Sequence, residues 1–220
     1  EMGKQVHTFA PAYRPDEFPE ILRYSDHIVF NTPSQWKRFR PMVEAADKKV
    51  SCGLRINPEC STQDHAIYDP CAPGSRMGTT ASHLTAGDLE GLDGLHFHTL
   101  CEQNSDALEI TLDQVEVKFG PYLPQMKWLN FGGGHHITRP DYDLETLRRC
   151  IRRTQQRYGV EVYLEPGEAV ALRAGYLVCS VLELMENHLP IAILDTTAAC
   201  HMPDVLEMPY RPPLLTSGCE

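Results

Sequence analysis

The chain lacks any apolar run long enough to cross a bilayer, and its first ten residues lack the charged and apolar stretches of a secretory signal. Its eight cysteines are scattered and include no Cys-x-x-Cys pair. A disulfide framework is typical of much shorter secreted chains that cannot build a full core. These absences favour a cytoplasmic protein with reduced thiols.

Basic side chains are also scarce. The 20 Lys and Arg residues face 30 Asp and Glu residues, which gives a formal net charge of −10. This balance argues against nucleic acid as a partner and suits a small cationic substrate. With 220 residues, of which 42% are hydrophobic, the chain is long enough for one large domain or two small ones with a real core.

Apolar segments that predict β-strands alternate with segments that predict helices. The strands are predicted at residues 5–9, 27–31, 50–56, 94–98, 128–131, 160–165, 177–183 and 191–195. The helices are predicted at residues 16–24, 33–46, 105–118 and 143–158. Because the strands are rich in Val, Ile, Leu and Phe without polar alternation, we expect them to be covered on both faces. The pattern indicates an α/β fold with a parallel sheet.

Two segments depart from this alternation. Only a short turn, at residues 187–190, separates the last two predicted strands, so we expect a β-type second domain to begin near Arg173. The helix at 143–158 carries five arginines, which could form either a phosphate patch or a solvated helix face. Their periodicity favours the solvated face.

Four polar clusters follow the predicted strands, at residues 96–102, 130–136, 165–168 and 195–204. Active sites of parallel α/β folds form at this edge of the sheet. His96 and His98 could be a metal pair, or one buried histidine and one that faces a ligand. Gly132–Gly134 could cradle a phosphate or make a plain tight turn. Glu165 needs a cationic or donor partner, which could be a ligand or a structural salt bridge.

Taken together, the clusters are more specific than any one of them. A flat histidine ring, a glycine loop and a carboxylate at the end of a strand supply what a pyridoxal phosphate (PLP) site requires. The cofactor ring needs stacking, its phosphate needs donors, and its ring nitrogen needs an acidic partner. The clusters therefore favour PLP as the cofactor.

The chain resembles the alanine-racemase-like, fold-type III PLP enzymes, and within them the ornithine/diaminopimelate decarboxylase branch. It is most similar to the carboxynorspermidine (carboxyspermidine) decarboxylase family. The resemblance is carried by residues 53–59, 70–76, 95–102, 130–136, 165–169 and 195–212. It implies decarboxylation of carboxynorspermidine or carboxyspermidine in polyamine biosynthesis, by a cytoplasmic homodimer with a shared active site.

The resemblance also implies the architecture. We expect a partial (β/α)8 TIM-type barrel at residues 1–173, followed at 174–220 by the last barrel strand region and the beginning of a β-rich domain. The chain looks truncated at both ends. The PLP lysine of the family lies upstream of Glu1, and the chain's six lysines have no matching context. We therefore expect the chain as it stands to be inactive.

Site residues are implied by matching positions. His98 would stack on the cofactor ring, and Glu165 would pair with the ring nitrogen; both would be catalytic. The backbone N–H groups of the three glycines would bind the phosphate, and Asp195 would meet the distal amine of the substrate. The full cofactor set is Arg55, His98, Cys101, Gly132, Gly133, Gly134 and Glu165. The substrate set is Glu102, Asp195 and Asp204, and no metal ligand is expected.

One departure from the pattern affects the choice of branch. Ornithine-type relatives often carry an arginine where this chain has Glu168, and a carboxylate cannot take that arginine's place against a phosphate. The departure favours the carboxynorspermidine branch over diaminopimelate or ornithine decarboxylase. Two further alternatives are an inactive PLP-barrel fragment and a metal-dependent barrel hydrolase. The hydrolase would use His96, His98, His135 or His136, together with Asp195.

Overall fold

The computed structural model describes residues 4–63, 66–207 and 209–215. The chain divides into two compact units, Glu1–Leu172 and Arg173–Glu220. Within the described ranges, no helix is both long and apolar enough to span a membrane.

The first unit is built on a six-stranded parallel sheet whose strands lie in chain order. The strands are β1 (His7–Phe9), β2 (His27–Phe30), β3 (Ser51–Arg55), β4 (Gly94–His96), β5 (Trp128–Asn130) and β6 (Glu161–Tyr163). The central strands are buried on both faces: Leu54, Leu95 and Leu129 are each 0% exposed on one face, and Arg55, His96 and Asn130 are buried on the other. The predicted α/β fold with parallel strands is confirmed, although each strand is shorter than the apolar run that predicted it.

Helices connect most of these strands. They are α1 (Phe18–Tyr24), α2 (Pro33–Glu44), α3 (Ser105–Phe119) and α4 (Leu144–Tyr158), and the short α5 (Gly167–Ala171) follows β6. In α4, the carboxylate of Asp143 caps the helix by accepting the N–H groups of Glu145 and Thr146. Gly159 ends the helix at φ 70°, the left-handed conformation that glycine adopts without strain. These local signals explain why the predicted bounds of α4 agree with the structure to within one residue.

Three of the five arginines of α4 pair with acidic residues of the neighbouring helix α3. Arg149 pairs with Glu109, Arg153 pairs with Asp113, and Arg157 pairs with Glu116. The interpretation of this cluster as a solvated helix face agrees with these pairs, because the arginines are balanced by acidic residues one helix away.

The second unit contains an antiparallel hairpin of β7 (Val181–Asn187) and β8 (Leu189–Leu194), followed by the short helices α6 (Ala198–His201) and α7 (Asp204–Glu207). A hairpin was predicted, but its bounds were wrong. The first strand begins at Val181 and the turn is at His188, whose φ is 59°. Turn-forming residues suggested a break at 187–190, yet Asn187 and Pro190 both pair in the ladder, where an edge strand tolerates proline.

Candidate active site

The candidate site lies where strands β3 to β6 end. Arg55 and His96 are the last residues of β3 and β4, and Glu165 follows β6 by two residues. Parallel pairing aligns Arg55 with His96 and His96 with Asn130. The register therefore brings side chains that are far apart in sequence to one edge of the sheet.

The carboxylate of Glu165 is the centre of the site. Asn130 Nδ2 donates a hydrogen bond of 2.8 Å to Oε1, and His96 Nε2 lies 3.4 Å from Oε2. His98 Nδ1 lies 3.7 Å from the same oxygen. Burial alone would raise the pKa of Glu165, but the hydrogen bonds from His96 and Asn130 and the nearby ring of His98 hold the pKa well below its usual range. Glu165 is therefore an ionised, oriented acceptor.

The two histidines differ in their surroundings. His96 is 1% exposed, and burial lowers its pKa although Glu165 opposes that shift. At neutral pH, His96 is thus a neutral donor to Glu165. His98 keeps 42% of its side chain exposed, so its ring is available to a ligand. This pattern matches the alternative of one buried and one ligand-facing histidine.

The glycine loop packs tightly against the segment that follows β4 and carries His98. A Cβ atom on Gly132 would lie 2.4 Å from the carbonyl oxygen of Phe97, and one on Gly134 would lie 2.0 Å from that of Leu100. Both residues have positive φ, at 70° and 79°. Only glycine fits here, because the backbones approach too closely for any side chain.

The amides of this loop are not all available to an anion. Gly132 N–H donates to Asn130 Oδ1 at 2.8 Å, and Gly133 N–H donates to His98 Nδ1 at 3.3 Å. Within the described part of the chain, the N–H of Gly134 has no acceptor. The binding of a phosphate by all three amides stays a prediction, and in this structure Gly134 is the clearest donor. The amide of Gly133 is held by a long bond.

Two cavities border His98. The first, of about 250 Å³, is lined by His98, Leu100, Cys101, Glu102, Gly134, His135, Gly167 and Glu168. The second, of about 470 Å³, is lined by Phe9, Arg55, Ile67, Tyr68, Asp69, Pro70, Ser75, Arg76, Met77, His98, Leu100 and Cys101. Eight of the ten predicted site residues therefore lie at this edge of the sheet and border these cavities or the Glu165 centre: Arg55, His98, Cys101, Glu102, Gly132, Gly133, Gly134 and Glu165. Glu102 is exposed and has the unusual φ of 51°.

Glu168, which stands where related enzymes carry an arginine, pairs with His136. Glu168 Oε2 lies 3.0 Å from His136 Nε2. The pair gives this carboxylate, which lines the first cavity, a polar partner within the same unit.

The remaining two predicted substrate residues, Asp195 and Asp204, belong to the second unit. Asp195 follows β8, and its Oδ1 accepts the N–H of Ser180 at 2.8 Å. Asp204 is the first residue of α7. Their predicted roles stay predictions.

A possible metal site was one alternative from the sequence. Among the described residues, one group of donors could hold an ion: His96, His98 and Glu165, whose ligand atoms lie within 4.8 Å of one another. That group shares two histidines with the predicted hydrolase set but includes neither His135 nor His136. The metal site that the sequence suggested is therefore not assembled as predicted in this part of the chain.

Sequence reasoning missed the residue that orients Glu165. Asn130 is fully buried, and its side chain donates to Glu165 while accepting the N–H of Gly132. The available signal was an asparagine at the end of an apolar strand, two residues before a glycine run. A buried amide there must find partners on both of its polar atoms.

Comparison with known proteins agrees with this geometry, although no protein-family model matches the chain. A carboxynorspermidine/carboxyspermidine decarboxylase of Campylobacter jejuni subsp. jejuni serotype O:6 is 47% identical over 216 residues, covering 98% of this chain and 56% of the relative. A carboxyaminopropylagmatine decarboxylase of Synechocystis is 44% identical over 214 residues, covering 96% of this chain and 55% of the relative.

Solved structures give the same result. The crystal structure of carboxynorspermidine decarboxylase from Campylobacter jejuni, complexed with norspermidine, matches with a TM-score of 0.82 and 47% identity over 95% of this chain and 53% of that chain. Diaminopimelate decarboxylase from Helicobacter pylori matches with a TM-score of 0.69 at 14% identity over 91% of this chain and 55% of that chain, and so shows the fold alone.

The chain spans about half the length of the curated relatives it matches. The similarity identifies the parallel sheet of the first unit as part of the barrel that these decarboxylases share. Over nearly its whole length, the chain is a homologue of the carboxynorspermidine/carboxyspermidine decarboxylases.

Proposed function

We propose that the protein is a PLP-dependent carboxy-lyase that converts carboxynorspermidine or carboxyspermidine to norspermidine or spermidine. The observation that carries the proposal is the Glu165 carboxylate, held ionised and oriented by Asn130 and His96 beside the ligand-facing ring of His98. The 47% identical relative supports the choice of substrate.

The residues present fit PLP in three respects. Glu165 offers an anionic acceptor to a protonated ring nitrogen. Gly132 to Gly134 form a cradle that any Cβ atom would fill, and the N–H of Gly134 is available for a phosphate oxygen. Arg55 and Cys101 line the second cavity next to His98. A group that is aromatic, anionic and protonated on its ring would satisfy all of these features.

Bound PLP supplies an electron-accepting ring that makes the loss of CO₂ from an α-amino acid feasible. The side chains act on that ring. Glu165 would hold a proton at the ring nitrogen, because its low pKa keeps the carboxylate charged while it accepts a hydrogen bond. Asn130 and His96 would keep the carboxylate oriented. His98 would lie against the ring face, and Cys101 would contact the phosphate end.

The cationic part of the substrate would meet carboxylates. We assign Glu102, Asp195 and Asp204 to this role. Support comes from the position of Glu102 on the first cavity and from the net charge of −10, which favours a polyamine over an anionic substrate.

The test is a spectroscopic and product assay of the complete protein. We expect a visible absorbance band of bound PLP that shifts on addition of carboxynorspermidine, followed by release of CO₂ and norspermidine. Diaminopimelate and ornithine should neither shift the band nor release CO₂. Absence of a band with excess PLP would contradict the proposal, and so would release of CO₂ from ornithine alone.

A second substrate is favoured by the 44% identical Synechocystis relative, which is named for carboxyaminopropylagmatine. The same assay with this compound separates the two candidates. A kcat/KM at least about tenfold higher for one substrate would decide between them, which corresponds to a difference of about 1.4 kcal/mol in transition-state binding.

We also infer that the protein acts as a homodimer, on the support of the family resemblance alone. Light scattering of the complete protein during gel filtration would give the mass directly. A monomer that retains full activity would contradict the shared active site.

A further inference from the structure

The loop that joins β3 to β4 carries the segment 70–76, which bears part of the family resemblance but has no role in the function proposed above. Its end is fixed by Asn31, a buried residue just after β2. Asn31 Nδ2 donates to the carbonyl oxygen of Arg76 at 2.8 Å, and its Oδ1 accepts the N–H of Gly78 at 2.7 Å. Asn31 O accepts the hydroxyl of Thr79 at 3.1 Å.

A second buried asparagine holds the same segment from the other side. Asn57 Nδ2 donates to the carbonyl oxygens of Pro70 and Met77, both at 3.2 Å. Thr79 N–H donates to Arg55 O at 2.9 Å. Thr79 thereby forms an isolated parallel bridge with Ile56, the residue after β3. Two buried amides and this bridge therefore fix the backbone at Arg76, so its exposed side chain extends from an anchored point of the loop.

Arg76 lines the second cavity together with Arg55. Arg55 is 5% exposed, donates to His98 O at 2.8 Å and lies over the ring of Phe9 at 4.7 Å. Burial lowers the pKa of Arg55 to about 10; the negative charge of Glu165 opposes this shift, and the positive charge of Arg76 adds to it. Among the described residues, no carboxylate is within ion-pair distance of either guanidinium.

Asp69 is the carboxylate that lines this cavity, and both of its oxygens accept hydrogen bonds from residues of the same loop. Asp69 Oδ1 accepts the N–H of Cys71 at 2.8 Å, and Oδ2 accepts the hydroxyl of Ser61. Asp69 therefore does not pair with the arginines. Two cations at one cavity without a carboxylate between them make an anion site, and an arginine fork is suited to a carboxylate or a phosphate.

We propose that Arg76, with Arg55 behind it, binds the carboxylate of the amino-acid substrate; this inference rests on the proposed decarboxylase function. The substrate carboxylate is favoured over the cofactor phosphate because the glycine loop borders the first cavity through Gly134, whereas both arginines line the second. The two cavities share His98, Leu100 and Cys101, so a ligand could extend from one to the other.

The assignment has a consequence for turnover. Decarboxylation removes the group that Arg76 binds, so the interaction is present with substrate and absent with the product amine. Arg76 would therefore contribute to substrate affinity and selectivity for the carboxylated compound, and would not hold the product.

The test compares Arg76→Gln with Arg38→Gln in the complete, PLP-loaded protein. Arg38 is an exposed arginine of α2 and serves as the matched loss of one positive charge. For Arg76→Gln we expect a KM for carboxynorspermidine about tenfold higher, with kcat changed by less than about threefold. The inhibition constant of norspermidine and the affinity for PLP, followed by absorbance titration, should stay within about twofold of wild type.

Arg76→Lys is the second variant, because it keeps the charge but loses the planar fork. It should recover part of the affinity and confirm that the loop remains folded. A drop in PLP affinity with an unchanged KM at saturating PLP would assign the anion to the phosphate and overturn the proposal. A KM for Arg76→Gln equal to that of Arg38→Gln would also overturn it. Failure of the wild-type protein to release CO₂ would instead refute the decarboxylase function on which the inference rests.

Discussion

Two pairs of histidines lie on the same parallel sheet, at opposite ends of its strands. His7 and His27 begin β1 and β2 and stack with ring centroids 4.0 Å apart. His96 and His98 lie at the end of β4, with centroids 6.3 Å apart. Burial lowers the pKa of His7, His27 and His96 alike. Burial by itself therefore does not make a histidine functional.

The difference between the pairs is the carboxylate. Among the described residues, none is within ion-pair distance of His7 or His27, which instead pack against each other and the edge of Tyr163. His96 and His98 share the oriented, ionised Glu165. A histidine pair is a candidate functional site when a fixed carboxylate lies beside it, as Glu165 lies beside His96 and His98. The predictions below test this contrast, from the largest expected effect to the smallest.

Replacing Glu165 with Gln should have the largest effect. The amide keeps the size of the side chain and an acceptor for Asn130 but removes the negative charge, so we expect kcat to fall by about 10²–10³-fold. Thermal unfolding should shift by only a few degrees. Steady-state kinetics and thermal melting curves of the variant and the wild type measure the two effects. A normal kcat would show that the charge of Glu165 is not needed.

A buried histidine without an ion pair should make the fold sensitive to acid. Burial lowers the pKa of His135 to about 4 from the ordinary 6.5. The unfolded chain therefore binds an extra proton between these values, and stability falls as the pH drops from about 6.5 to 4. The shift of 2.5 pKa units corresponds to about 3 kcal/mol.

Urea unfolding at several pH values checks this effect. His135→Leu should remove most of the 3 kcal/mol loss attributed to that residue, while the other buried histidines keep their share of the slope. An identical pH dependence in wild type and variant would contradict a neutral, buried His135.

Two glycines with the same backbone conformation should differ in their tolerance of a methyl group. Gly134 and Gly74 have φ of 79° and 81°, but a Cβ atom on Gly134 would lie 2.0 Å from Leu100 O, whereas nothing lies within 4 Å of one on Gly74. Gly74→Ala should cost only the left-handed strain, about 1 kcal/mol, and Gly134→Ala should cost about 2 kcal/mol more. Urea unfolding followed by tryptophan fluorescence measures both. Equal costs would indicate that the loop relaxes freely.

The smallest effect concerns the two histidine pairs directly. His98→Ala removes the ligand-facing ring and should lower kcat/KM about tenfold, or about 1.4 kcal/mol. His7→Phe replaces one packing ring with another, so kcat/KM should change by less than about twofold. A larger loss of activity for His7→Phe than for His98→Ala would contradict a ligand-facing role for His98 and a packing role for His7.

The sequence was sufficient for the fold class and for much of the site. The strands that end at Arg55, His96 and Asn130 are continuous apolar runs, which predict strands covered on both faces. Asp143 and Gly159 mark the ends of α4, because capping depends on residues adjacent in the chain. The hairpin bounds were wrong because the ladder from Val181 to Leu194 is set by backbone pairing, which overrides the turn preference of Asn187 and Pro190.

Local chemistry thus determined which residues could act: a carboxylate after β6, histidines after β4 and a glycine run after β5. Only the tertiary structure decided which of them meet. Strand register brings Asn130 and His96 to Glu165, assigns the amide of Gly132 to Asn130, and fixes Arg76 through Asn31 and Asn57. Apart from Gly132 and Asn130, which are two residues apart, the bonded residues are 20 to 69 positions apart in the chain. Their distance in space is set by tertiary packing, which local sequence patterns do not reveal.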